Sequence, residues 1–176
     1  RWAVAADDTV AALYGGAVLD SLRDAGLAGE LLTFPAGEEH KTPETWLALC
    51  CQLAQRGFTR FDGVLALGGG VTGDLAGFAA ACYQRGMTLV QVPTTLLAQV
   101  DSAVGGKTAV DLPEGKNQLG AFYQPSLVIV DPDCLATLPE RQLRSGMAEV
   151  IKYGFIRDAA LLPMLETDAP DWTDII

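Results

Sequence analysis

The sequence predicts an α/β protein: a Rossmann-like, doubly wound parallel sheet over residues 1–138, then the beginning of an all-helical second domain over 139–176. Three observations carry this. Short apolar runs of strand length alternate with longer stretches of helical periodicity, the order that builds a parallel sheet. Glycines at 68–70 follow one of those runs and open a small-residue stretch, as at a phosphate-binding strand–helix junction. From Pro139 onward the pattern stays helical, with no further strand signal.

Taken in order, residues 1–6 and Asp7 read as a short strand ending in an acidic loop. Over 9–26, Val10, Leu13, Tyr14, Val18 and Leu22 recur at helical spacing, and Gly26 supplies a C-cap. Glu30–Phe34 is a second strand, followed by the loop Pro35–Lys41. Thr42 before Pro43 is a helix start, and that helix runs to about Gly57. Gly63–Leu67 is a buried-type strand, with a turn at 68–70 and a small-residue helix from Asp74 to Tyr83. Thr88–Val92 and Leu127–Val130 are two further strands, joined by a long Gly-rich connection. Pro139 opens a helix that continues through Ile156, with an apolar stripe of Leu143, Met147, Val150 and Ile151.

Composition bounds the function. The chain has 176 residues, 49% of them hydrophobic and 19% charged, enough for one compact core and unlike a disordered composition. No apolar run approaches the roughly 18–20 residues that span a bilayer, so no membrane partner is expected. The chain opens on Arg1 with no readable leader, as if it began part-way through a gene. Cys50, Cys51, Cys82 and Cys134 form no CxxC pair and read as reduced thiols of a cytoplasmic protein. A net charge of −10 argues against nucleic-acid binding, which rests on basic surface. An anionic ligand then needs a local concentration of cations. The amphipathic stretches use Arg23, Arg56 and Arg60, whereas all four lysines (Lys41, Lys107, Lys116, Lys152) sit in Gly-, Asn- or Glu-flanked segments. They are either leftover surface lysines or phosphate and carboxylate binders in one cleft.

Gly68-Gly69-Gly70-Val71-Thr72-Gly73-Asp74 formally fits GxGxxG, whose glycines admit a pyrophosphate at a helix N-terminus. The usual acidic residue about 20 positions on is absent, since the next one after Asp74 is Asp101. This is a phosphate loop of another kind, or a structural tight turn. Thr94 and Thr95 close a strand, where they offer hydroxyls to a ligand crevice or an N-cap to a helix. Glu149 and Lys152 lie three apart on the last long helix, the spacing of an exposed salt pair. One carboxylate is no zinc site, and the single histidine, His40, is far away in sequence.

Read together, several segments resemble the 3-dehydroquinate synthase family. They are GEEHK at 37–41, LGGGVTGDLAGF at 67–78, RG at 85–86, VPTTLLAQVDSAVGGKTAVDLPEGKNQLGAFYQP at 92–125, DPDCLATLPER at 131–141 and GMAEVIKYGFI at 146–156. All four lysines fall at positions that family uses. The resemblance implies NAD bound by Asp7, by Ala36, Gly37, Glu38, Glu39, His40 and Lys41, and by Gly70, Val71, Thr72, Gly73 and Asp74. It adds Thr94, Thr95, Lys107, Lys116, Cys134, Leu135, Ala136 and Thr137 to that set; near Asp7, Thr9 stands where the family commonly has asparagine. It implies Asp101, Lys107, Lys116, Asn117 and Lys152 around a sugar-acid phosphate, with Arg85 reaching the phosphate across a homodimer interface. It makes Glu149 one ligand of a divalent metal, zinc or cobalt, whose two histidine partners lie in a helical C-terminal domain missing here along with the first part of the nucleotide-binding domain. The implied reaction converts 3-deoxy-D-arabino-heptulosonate 7-phosphate to 3-dehydroquinate and phosphate through transient oxidation, a step of aromatic amino-acid biosynthesis. Competing readings are another sugar-phosphate cyclase, a metal-dependent polyol dehydrogenase, and an inactive NAD-binding module.

Overall fold

The computed structural model describes residues 1–167 and 170–176. Its centre is a five-stranded parallel sheet in the order β2-β1-β3-β4-β7, formed by β1 (Trp2–Asp7), β2 (Gly29–Phe34), β3 (Gly63–Gly68), β4 (Thr88–Pro93) and β7 (Leu127–Val128). Every residue of β3 is buried, as a strand covered on both faces requires. Alternate side chains serve the two faces. Ala3, Ala5, Val64 and Ala66 pack under Leu49 and Leu53 of α3 (Pro43–Gln55) and Ala76, Ala79 and Ala80 of α4 (Gly70–Cys82). Val4, Ala6, Leu65 and Leu67 pack instead against Val10, Tyr14, Val18 and Leu22.

Those last four residues lie on a helical run over 8–24 made of α1 (Asp8–Val10), a π-helical turn Ala11–Gly15 and α2 (Gly16–Asp24). The run ends just short of Gly26, whose φ of 73° is the left-handed conformation that closes a helix. Thr42 caps α3 by accepting from the Thr45 amide at 3.3 Å, with Pro43 in the first turn.

The structure departs from the sequence reading in four places. The helix expected from Asp74 begins at Gly70, so the glycine turn is itself the first helical turn. Its small residues are required by close packing: a Cβ on Gly73 would stand 3.0 Å from Gln91 Oε1, and one on Gly77 2.5 Å from Thr108 Cγ2. The strand expected over Leu127–Val130 is only Leu127–Val128. Ile151 lies away from the apolar stripe, which is Leu143, Met147 and Val150, and is 39% exposed. The Gly-rich connection is not a loop. It holds a π-helical turn Ala98–Ser102 and an antiparallel hairpin of β5 (Lys107–Leu112) and β6 (Gly115–Phe122).

The hairpin crosses α4. Val110 joins Leu75, Phe78 and Phe34 in a small cluster, and the Tyr123 hydroxyl donates to the Met87 carbonyl at 2.6 Å. After β7 come a 3-10 turn Pro132–Thr137 and the helices α5 (Glu140–Ile156), α6 (Leu161–Met164) and α7 (Trp172–Ile175). Val150, Leu135, Leu96 and Ile175 form their shared core.

Candidate active site

The strand order reverses between β1 and β3, because the chain leaves β1 for β2 on one side and returns to β3 on the other. Ligands of open parallel sheets bind at the carboxyl ends of the strands beside such a point. The residues there are Asp7, the 35–41 loop, the turn at 68–70 and Thr94–Thr95.

The turn is shaped for an anion. Gly69 caps α4 without any side-chain bond, so the leading amides of the helix keep no intrahelical acceptor. A Cβ on Gly69 would stand 3.0 Å from Thr95 Cγ2, and one on Gly70 3.3 Å from Ser102 Oγ. Glycine therefore lets the loop lie tight against the next one. Thr72 is fully buried and its Oγ1 has no hydrogen-bond partner. An unpartnered buried hydroxyl beside open amides is the donor set a pyrophosphate needs, so these residues fit a dinucleotide.

Beside the turn, Lys41 is 5% exposed, and its ammonium pairs with the Asp74 carboxylate and donates to Asn117 Oδ1 at 2.6 Å. Burial pushes the Asp74 carboxyl above the usual carboxylate range, against the pull of the Lys41 ammonium. Lys116 Nζ lies 2.7 Å from Glu38 Oε1, and that carboxylate raises the lysine above its ordinary value. Asp74, Asp101, Ser102, Lys107 and Asn117 face one open cavity of about 470 Å³ between α4 and the hairpin. Three of the four lysines thus converge on the carboxyl-end crevice.

The other expected residues divide. Asp7 caps α1 by accepting from the Val10 amide at 2.9 Å, and Asp8 accepts from the Ala36 amide at 3.0 Å. Thr94 is buried and its amide donates to the Gly68 carbonyl at 3.0 Å, while Thr95 Oγ1 accepts from the Ala98 amide. Gly37 has φ 121° beneath the Glu39 carboxylate, at the head of the short turn Glu38–His40. Leu135 is buried, and Cys134 and Thr137 are tied to the Tyr14 hydroxyl of the π-helical turn; Ala136 lies between them. Burial pushes the Cys134 thiol up, and all four cysteines are free. Glu149 and Lys152 form an exposed ion pair on α5, next to Tyr153, whose hydroxyl donates to Asp101 Oδ1 at 3.3 Å. Arg85 is not brought to the cavity. It sits with Arg60 and Phe61 in a second concavity of about 450 Å³, its own φ 70° and Gln84's φ 47° both left-handed.

A metal does not fit among these groups. Among the described residues no three His, Cys, Asp or Glu side chains gather, and Glu149 is already paired with Lys152. No helix among the described residues is long and apolar enough to cross a membrane. Sequence reasoning missed Ser102, Tyr153 and Asp111, whose places depend on the unforeseen hairpin and on the packing of α5.

Comparison with known proteins gives a consistent picture. The family model for the 3-dehydroquinate synthase N-terminal region matches residues 31–145. A 3-dehydroquinate synthase from Pelobacter propionicus is 55% identical over 169 residues, 96% of this chain and 47% of that protein. A 2-epi-5-epi-valiolone synthase from Streptomyces hygroscopicus, solved with NAD+ and Zn2+ bound, superposes with a TM-score of 0.87 at 39% identity, over 94% of this chain and 46% of that one. A 2-deoxy-scyllo-inosose synthase complexed with carbaglucose-6-phosphate, NAD+ and Co2+ gives 0.81 at 36% identity, over 86% and 41%. The chain spans about half the length of the curated relatives it matches.

Proposed function

The chain belongs to the 3-dehydroquinate synthase family, and from that premise we propose that it is the nucleotide-binding part of an enzyme converting 3-deoxy-D-arabino-heptulosonate 7-phosphate to 3-dehydroquinate and phosphate. The observation that carries this is the convergence of Lys41, Lys107 and Lys116 beside a glycine turn fitted to a pyrophosphate, in a protein of net charge −10. A simple alcohol dehydrogenase has no use for so many cations over its substrate.

NAD, when bound, supplies a hydride acceptor that turns one ring alcohol into a ketone and later returns the hydride. The chain's own residues bind and orient. The open amides from Gly70 and the Thr72 hydroxyl hold the pyrophosphate. Thr94, Thr95 and the 134–137 turn line the cofactor's path. Lys107, Lys116 and Lys152, with Asn117, hold the charge of the substrate's phosphate and carboxylate, and they stabilise the phosphate as it departs. Asp101, which lines the same cavity, orients a substrate hydroxyl. In the longer protein we assign a zinc or cobalt ion to Glu149 together with ligands outside these residues. We assign residues 139–176 to the start of a helical domain. Arg85, turned away from its own cavity, serves the partner's site in a homodimer. The free thiols suit a cytoplasmic enzyme.

The test is phosphate release by the full-length protein from this sugar-acid phosphate, with absorbance followed at the NADH band. Stoichiometric phosphate without NADH accumulation supports the cyclase. NADH accumulation indicates a dehydrogenase. A second reading, another sugar-phosphate cyclase, draws on the two solved neighbours. It predicts turnover of a sugar phosphate without a carboxylate, of the class of the carbaglucose-6-phosphate in one solved neighbour, in place of the sugar-acid phosphate.

A further inference from the structure

The hairpin that carries Lys116 and Asn117 is irregular where it meets the site. Val110 pairs with Leu119 and Leu112 with Gly115, so Asp111 alone faces Lys116, Asn117 and Gln118. Three residues opposite one cannot keep a regular ladder, and the extra ones are thrust out of it. Asn117 takes φ 56°, a left-handed conformation uncommon outside glycine, and its amide loses its strand partner. The Asp111 carboxylate supplies the replacement, accepting from the Asn117 amide at 2.7 Å. Meanwhile the Asp111 amide donates to the Lys41 carbonyl at 2.8 Å, and Lys41 Nζ donates to Asn117 Oδ1 at 2.6 Å. Lys41, Asp111 and Asn117 thus close a ring of three hydrogen bonds that joins the hairpin tip to the 38–41 loop. The Lys116–Glu38 pair spans the same junction.

We propose that Asp111 is a positioning residue. By holding the bulge it aims Lys116 and Asn117 at the anionic ligand and fastens the hairpin to the cofactor-binding loop. This rests on the reading of the site as a cyclase centre. Asp111 lines neither the cavity nor the glycine turn. What the bond requires is an acceptor oxygen, not a charge. Asparagine keeps that oxygen and alanine removes it.

The experiment compares Asp111→Ala with Asp111→Asn in the full-length protein, measuring phosphate release, calorimetric NAD affinity and the thermal unfolding midpoint. Asp111→Ala is expected to lower kcat/KM by roughly tenfold to a hundredfold, mainly through KM for the sugar-acid phosphate, as displacement of binding groups does. It also weakens NAD binding several-fold, because the 38–41 loop is released, while the unfolding midpoint stays close to that of Asp111→Asn. Asp111→Asn is expected to stay within about threefold of the parent, since its amide oxygen still accepts the Asn117 amide. Parental KM and NAD affinity in Asp111→Ala would overturn the proposal, as would equal impairment of the two variants. If the parent itself releases no phosphate, the cyclase reading fails, and the NAD affinities of the two variants still decide the role of Asp111.

Discussion

Lys152 shows how one side chain carries two incompatible accounts. In the structure it is an exposed partner of Glu149 at the i,i+3 spacing, its ammonium 4.5 Å from the centre of the Tyr153 ring and pushed above its ordinary value by the carboxylate. Such an exposed pair contributes little to a helix, because solvent screens it. Tyr153 also reaches Asp101, however, and Asp101 lines the cavity, so one side chain links the pair to the site. Lys152→Ala in the full-length enzyme is therefore expected to cut kcat roughly a hundredfold, the scale of losing one preorganised charge. Its thermal unfolding midpoint should stay close to that of the parent, as for other surface changes. Activity within twofold of the parent, by phosphate release, would leave only the solvated pair. At this scale the sequence was informative because lysine is rare here and its flanks are unusual, so Lys41, Lys107 and Lys116 were legible as a set. Asp111 was not. Its role comes from a bulge, and no local pattern distinguishes it from any acidic residue before a turn.

Among the elements, the strands and the long helices were readable because burial imposes its period on the sequence. The hairpin was hidden for the opposite reason. Its second strand is mostly exposed over Gly115–Phe122, and its glycines suggest a loop. The structure gives one of those glycines, Gly120, a packing reason that composition cannot supply. A Cβ on Gly120 would stand 2.0 Å from the Thr108 carbonyl oxygen and 2.7 Å from Ala109 Cα, both backbone atoms that cannot turn aside. Gly120→Ala is thus expected to destabilise the protein by about 1–3 kcal/mol, the usual cost of overpacking. Gly115→Ala, whose Cβ would meet nothing nearer than Gln118 Cγ at 3.5 Å, should stay within about 0.5 kcal/mol. Equal unfolding midpoints for the two would mean that the strands part readily at this point. The early start of α4 has a similar origin. Glycine is about 1 kcal/mol worse than alanine inside a helix, so the segment looks non-helical until its contacts with Gln91 and Thr108 are known.

For the whole molecule, the proposed function sets a furnished nucleotide side against a metal side to which these residues bring only Glu149. The glycine turn, Lys41, Thr94, Thr95 and the 134–137 turn all stand at one end of one sheet, held by strands buried on both faces. On α5, by contrast, Glu149 has a lysine for a neighbour, and Phe155 and Ile156 lie 76% and 69% exposed. Metal affinity comes from ligands already placed together, typically three protein groups for a catalytic zinc. One carboxylate that must first give up an ammonium partner is a poor start. The 176-residue chain expressed by itself is accordingly expected to bind NAD weakly, to show no stoichiometric zinc binding, and to release no phosphate. If the proposed function holds, the full-length protein binds one zinc per subunit and releases phosphate. Calorimetric titration of both proteins, first with zinc and then with NAD, separates the two sides of the site. Tight zinc binding together with phosphate release by the 176-residue chain would mean that it gathers its own ligands, and the divided site argued from Glu149 would be wrong. Loss of NAD binding in the chain, with zinc behaviour as expected, would instead place part of the nucleotide site outside these residues.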